Sequence, residues 1–133
     1  MKPTSYLSAL FRTSALPAGE RPPCDFDLIS RYFYNCPAED ASHTIDAETT
    51  ADLDLNAVFE RIDRTTSKVG QQCLYARIRT LRGQEDAEAF GRSTDCFSRN
   101  GELAASCTES LSRLTDEDAY GLQNLIFDTP VSY

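Results

Sequence analysis

The chain has little with which to carry out covalent chemistry. It holds one histidine, His43, and no serine, cysteine or aspartate forms a nucleophile motif around it. Acid–base and acyl-transfer catalysis need a base within hydrogen-bond reach of a nucleophile, so His43 reads as a surface or capping residue. There is no G-x-x-x-x-G-K-[ST] and no G-x-G-x-x-G, which removes the glycine-rich loops that cradle phosphates. The acidic run Asp116, Glu117, Asp118 lacks the ligand spacing of a calcium loop and suits the start of a helix better. Five cysteines, Cys24, Cys36, Cys73, Cys96 and Cys107, match no zinc pattern and are odd in number, so they read as buried free thiols in a reducing, intracellular compartment. No apolar run approaches the ~20 residues that cross a bilayer. The N-terminal stretch has no continuous apolar core of a signal peptide. No segment alternates as a strand does, and no repeat or low-complexity tract is found. These residues are therefore expected to be non-catalytic and to hold neither cofactor nor metal.

What is present is a 133-residue chain, enough for one modest domain, with 41% apolar residues and a formal charge of −8. That sign argues against the whole chain as a nucleic-acid binder, because phosphate contacts want a basic face. The charge is uneven: residues 52–83 carry 6 basic and 4 acidic side chains, whereas residues 84–133 carry 3 and 10. The cations Arg77, Arg79 and Arg82 sit toward the end of an expected helix, where they complement its dipole without any ligand.

Residues 1–51 are expected to form a loosely held arm broken by Pro3, Pro17, Pro22 and Pro23, then one short helix, then a polar linker. Asp25 is the expected cap of the short helix, and Phe26, Ile29 and Phe33 its spaced apolar residues, up to Pro37. The stretch "AEDASHTIDAETTAD" reads as extended linker. Among Phe26, Tyr32, Phe33 and Tyr34 only Arg31 is interleaved, which favours core or partner packing over base stacking.

Periodicity is strong from Asp52. Leu55, Val58, Phe59 and Ile62 recur at helical spacing behind Asp54 as cap, and the helix should end near Arg64 because "TTS" favours turns. Thr66 or Ser67 can cap a second helix. Val69, Cys73, Ala76 and Thr80 are its expected inward stripe, with Leu74, Ile78 and Leu81 beside it, and Gly83 is its stop. Gly70, in the first turn, permits a close approach. A third helix is expected with Ala87, Phe90, Thr94 and Phe97 inward, then a turn at Asn100–Gly101. The fourth runs to about Leu114 with Leu103, Cys107, Leu111 and Leu114 inward. A last apolar patch holds Tyr120, Leu122, Leu125 and Ile126. The wide apolar faces suggest part of something larger.

The block "DLDLNAVFERIDRTTSKVGQQCLYARIRT" resembles the opening of the core domain in MutS-type mismatch-repair ATPases and MutS-related proteins. A short helix ends there in an Asp-Arg-Thr stretch, followed by a Thr/Ser turn, a glycine and a helix with Leu and Arg. The matching positions are Leu55, Phe59, Ile62, Asp63, Arg64, Thr65, Thr66, Gly70, Leu74, Tyr75 and Ile78. The resemblance spans roughly 44–128. Neither a mismatch-reading domain nor the Walker motifs of the family are present in the sequence. It implies the unfinished start of a core, or lever, domain in a parent that binds DNA and hydrolyses ATP with Mg.

The expectation is thus an all-α fold, a small bundle of about four or five helices after the arm, with residues 52–133 forming the helical start of the core domain. Its function would be structural coupling, with Thr65, Thr66, Ser67 and Gly70 as hinge and packing residues. Lys68, Arg77, Arg79 and Arg82 are the candidate interdomain or DNA contacts. The expected partners are the remaining domains of the parent, DNA through that parent, or a second copy of the chain. The competing expectation is an independent helical adaptor that binds a protein through Phe26–Tyr34 and Leu122–Phe127.

Overall fold

The fold follows from a few caps and one aromatic cluster. In the computed structural model, which describes residues 22–36, 39 and 41–127, the chain is mostly helical with one short antiparallel ribbon. Of the arm expected over residues 1–24, residues 1–21 lie outside the described residues. Asp25 caps α1 (Phe26–Ile29), its carboxylate accepting from Leu28 N at 3.1 Å. The chain continues into α2 (Arg31–Asn35). The stretch expected to be extended linker instead forms β1 (His43–Thr44) and α3 (Ala47–Asp52). Small residues hid this helix from periodicity, but Asp46 caps it by accepting from Thr49 N at 2.7 Å. That backbone bond is the main reason the Asp46 carboxyl lies below the usual carboxylate range.

Next come α4 (Leu55–Ile62) and α5 (Lys68–Arg79). Asp54 occupies the position before α4 but makes no side-chain cap bond; its backbone is left-handed, at φ 47°. Helix α5 runs straight into β2 (Thr80–Leu81), which pairs antiparallel with β1, so the helix stops before Gly83. Gly83 instead precedes α6 (Gln84–Arg99). Asn100 caps α7 (Gly101–Leu111) through Leu103 N at 3.0 Å. A 3-10 turn (Glu117–Gly121) and α8 (Leu122–Phe127) complete the described chain.

The core lies between α1, α4, α5 and the 3-10 turn. Ile29, Phe59, Tyr75 and Tyr120 are buried together, with Phe26, Leu28, Phe33, Leu74 and Ile78 packed around them. Phe59 meets Phe26 edge-on at 5.8 Å between ring centres and Tyr75 at 5.6 Å, a geometry favoured by the ring quadrupoles. The inward stripe of α5 is Gln72, Tyr75 and Arg79, whereas Cys73 is exposed and Val69, Ala76 and Thr80 are half-buried. The expected stripe was therefore rotated by about one residue. Two of the true inward residues are polar, and a hydrophobicity pattern does not select them. The expected inward faces of α6 and α7 are also open: neither helix has a buried residue, and Leu103 and Leu111 are exposed. Only Cys107 and Leu114 of that expected face are half-buried.

Candidate functional site

The turn between α4 and α5 is built around a buried carboxylate. Asp63, 3% exposed, ends α4. Its Oδ1 accepts from Thr65 N at 2.8 Å and from Thr65 Oγ1 at 2.6 Å. Its Oδ2 accepts from Gln71 Nε2 at 2.9 Å, one turn into α5. Bonds to a charged acceptor are worth about 1.5–3 kcal/mol net each, so this one side chain fixes both the turn and the first turn of the next helix. Ser67, also buried, caps α5 by accepting from Gly70 N at 2.9 Å. Thr66 is exposed. Of the two cap candidates, Ser67 is therefore the one used.

Gly70 is close-packed, against this turn itself. A Cβ on Gly70 would lie 3.1 Å from Thr65 Cβ and 3.1 Å from Ser67 Oγ. Both neighbours are pinned, Thr65 by Asp63 and Ser67 by its cap bond, so neither yields easily. The glycine thus lets α5 fold back tightly on its own entry turn.

The network continues to the 3-10 turn. Gln71 Oε1 accepts from the Tyr120 hydroxyl at 2.6 Å, and Gln72 Nε2 donates to Leu28 O at 3.0 Å and Tyr120 O at 3.2 Å. Burial, and secondarily the negative charges available at Cys24, Asp25, Asp63 and Glu117, push the Tyr120 phenol up to about 12. Lys68 donates its backbone N–H to Leu114 O at 2.9 Å and holds its ammonium 5.3 Å from the centre of the Tyr120 ring. Lys68 thus serves the joint between α5 and the chain that follows α7.

The arginines divide. Arg79 is 1% exposed, which removes it as a DNA contact or a solvated dipole partner. Its Nε and Nη2 donate to Ile45 O at 3.2 and 2.9 Å, and its Nη1 to the Tyr34 hydroxyl at 3.1 Å. Its guanidinium stacks 4.0 Å from the centre of the Phe33 ring. Planar, weakly hydrated and rich in donors, guanidinium suits burial among carbonyls and rings where an ammonium would not. A cleft of ≈ 240 Å³ lies over it, lined in part by Thr50, Asp54, Asn56 and Tyr75. That is below the roughly 300–1,000 Å³ of most small-molecule sites. Arg77 bridges to α6, with Nη2 2.8 Å from Asp86 Oδ2 and its guanidinium 4.0 Å from the centre of the Phe90 ring. Arg82 lies 3.9 Å from the same carboxylate.

Thr65, Ser67 and Gly70 are therefore gathered into one turn, while Lys68, Arg77, Arg79 and Arg82 point to three different neighbours. Asp63 and Gln71 were missed as parts of this site. An Asp at a helix end, with Thr two residues on, is a recognised turn signal, and it marks Asp63 in the sequence. Gln71 carries no such mark. Among the described residues no cluster of three metal-ligating side chains occurs, and no helix is long and apolar enough to cross a membrane. No protein-family model, curated protein or solved structure matches the chain.

Proposed function

We propose that residues 52–133 are a non-catalytic coupling segment at the start of the core domain of a MutS-like DNA mismatch-repair ATPase, in an intracellular, cytoplasmic protein. The observation that carries this reading is the Asp63-centred turn. It joins two helices through one buried carboxylate and a glycine pressed on its own entry turn. Such a joint moves as a unit, and helix shifts between packed elements are how mechanical coupling commonly travels. The sequence around it, Leu55 to Ile78, is the part that resembles the MutS-type core. DNA binding and ATP hydrolysis with Mg would belong to the parent protein's other domains. Arg77 and Arg82, at the α5–α6 corner, are the cations left for interdomain or DNA contact.

The reading of the gene is the first test: a Walker A motif in the same frame downstream supports it, and a stop after Tyr133 opposes it. The second is functional. In the parent ATPase, Gly70→Val should leave basal ATP hydrolysis unchanged and cut its stimulation by DNA about tenfold, the scale of an ordinary coupling energy. Unchanged stimulation, or ATP turnover by residues 1–133 alone, overturns the proposal.

A second reading, an independent helical adaptor, draws on Leu125 and Ile126, which are 81% and 73% exposed on α8. In the other half of its expected surface, Phe26 and Phe33 pack on the core, while Tyr34, which accepts from Arg79, is 58% exposed.

A further inference from the structure

Among the described residues, Arg79 is a buried cation without a counter-ion. It is 1% exposed, and no described carboxylate lies within ion-pair distance of it. Asp46 feels its charge only as the least of several influences, behind its bonds to Thr49. Ile45 O and the rings of Phe33, Tyr34 and Tyr75 solvate the guanidinium but bring no net charge. A charge at that depth ordinarily keeps the opposite sign beside it. Arg79 also lines the cleft of ≈ 240 Å³, together with Tyr34, Tyr75, Thr50, Asn56 and a single described carboxylate, Asp54. We propose that this cleft binds a small free α-amino acid, with its carboxylate toward Arg79 and the Tyr34 hydroxyl and its ammonium toward Asp54.

The carboxylate end rests on Tyr34. Its oxygen accepts from Arg79 Nη1 at 3.1 Å, and among the described residues nothing accepts from its own O–H. A hydroxyl that accepts from a cation is polarised into a stronger donor. Tyr34 is 58% exposed, so a ligand can reach this donor, and the guanidinium behind it acts through the hydroxyl and through a field that solvent screens poorly at depth. The ammonium end rests on Asp54, which is exposed, makes no cap bond and has no ion-pair partner among the described residues. The two signs select the ligand class. A plain anion would meet Asp54 and a chain charge of −8; a plain cation would meet Arg79. A molecule carrying both signs answers both residues. Size narrows the class further: at roughly 30 Å³ per water, ≈ 240 Å³ holds about eight waters, which suits an amino acid with a short side chain and is too small for a nucleotide. This inference does not depend on the MutS-like reading, and the failure of either leaves the other standing.

Titration of the full chain with glycine, L-alanine, L-serine and L-asparagine, followed by backbone amide resonances, tests it. The expected result is saturable movement of residues 47–56 and 75–79 with at least one of these amino acids. Propionate and ethylammonium, which carry one sign each, should bind about tenfold more weakly or worse at equal ionic strength. Asp54→Asn should weaken the amino acid about tenfold and leave propionate no weaker. Asparagine tolerates the left-handed backbone at φ 47°, and Asp54 has no cap bond to lose, so this variant keeps the fold. Tyr34→Phe should weaken the amino acid and propionate alike. No saturable movement with any of the amino acids overturns the proposal. So does propionate binding as tightly as the best of them, which makes this a plain anion site, or an affinity that Asp54→Asn leaves unchanged.

Discussion

The two halves of this molecule reverse the usual relation between polarity and depth. Around α5, an arginine, two glutamines and an aspartate lie at or near the interior: Arg79 is 1% exposed, Gln72 1% and Asp63 3%, and Gln71 is half-buried. In the hairpin of α6 and α7, phenylalanine and leucine lie at the surface. The difference shows what holds each half. The core half is a small aromatic cluster whose rim is stitched by directional bonds of Asp63, Gln71, Gln72 and Arg79, with the buried Gln123 Nε2 left unpaired among the described residues. Among the described residues the hairpin is tied by its own turn, by the corner where Arg77 meets Asp86 and Phe90, and at its far end by the Lys68 N–H bond to Leu114 O. Cohesion near α5 is therefore specific and brittle, while the hairpin's attachment is weak and tolerant.

Breaking the brittle half should have the largest effect. Arg79→Ala removes a large buried side chain and orphans Ile45 O and the Tyr34 hydroxyl, and should cost about 3–4 kcal/mol in urea unfolding. Arg79→Lys should recover only part of it, because an ammonium lacks the planar fork. Asp63→Ala should cost about 2 kcal/mol, since it leaves Thr65 and Gln71 without their shared acceptor.

Alkali sharpens the comparison in a different way. The Tyr120 phenol has its pKa raised in the folded state, to about 12 from 10. Between those values the unfolded chain loses its proton first, so the folded form binds more protons and stability falls as pH rises. The contribution is complete below about pH 10 and is lost by about pH 12. Tyr120→Phe should flatten the loss of the unfolding midpoint across that window, at a cost of about 1 kcal/mol at neutral pH from the Gln71 bond. The smallest effect belongs to the tolerant half. Arg77→Ala at the hairpin corner should cost under about 1 kcal/mol, because that ion pair is partly solvated. A loss as large as that of Arg79→Ala would mean that the hairpin is integral to the core.

The helical class and the α4–turn–α5 arrangement were legible because apolar spacing and cap residues act locally. Leu55 and Phe59 are buried as their spacing requires, whereas Val58 and Ile62 of the same expected stripe are 44% and 45% exposed, and Ser67 caps as its type suggests. The linker misreading has an equally local cause: residues 47–52 include only small and polar types, so a helix held by the Asp46 cap left no hydrophobic trace. The inner stripe of α5 was not legible. The burial of Gln72 and Arg79 depends on acceptors from Leu28, Ile45 and Tyr120, residues 34 to 48 positions away, and no window along the sequence contains them. The open faces of α6 and α7 failed for the converse reason. Periodicity reports which side of a helix is apolar and says nothing of what lies opposite.

The ribbon has a consequence for the integrity of the chain. Thr44 pairs with Thr80, Ile45 N donates to Arg79 O at 2.8 Å, and the Arg79 guanidinium returns to Ile45 O. Residues 46 to 78 are therefore a noose drawn shut at its neck by both main-chain and side-chain bonds. A protease that nicked it at the exposed Leu53 would leave two fragments still knotted together, migrating as one species until denatured.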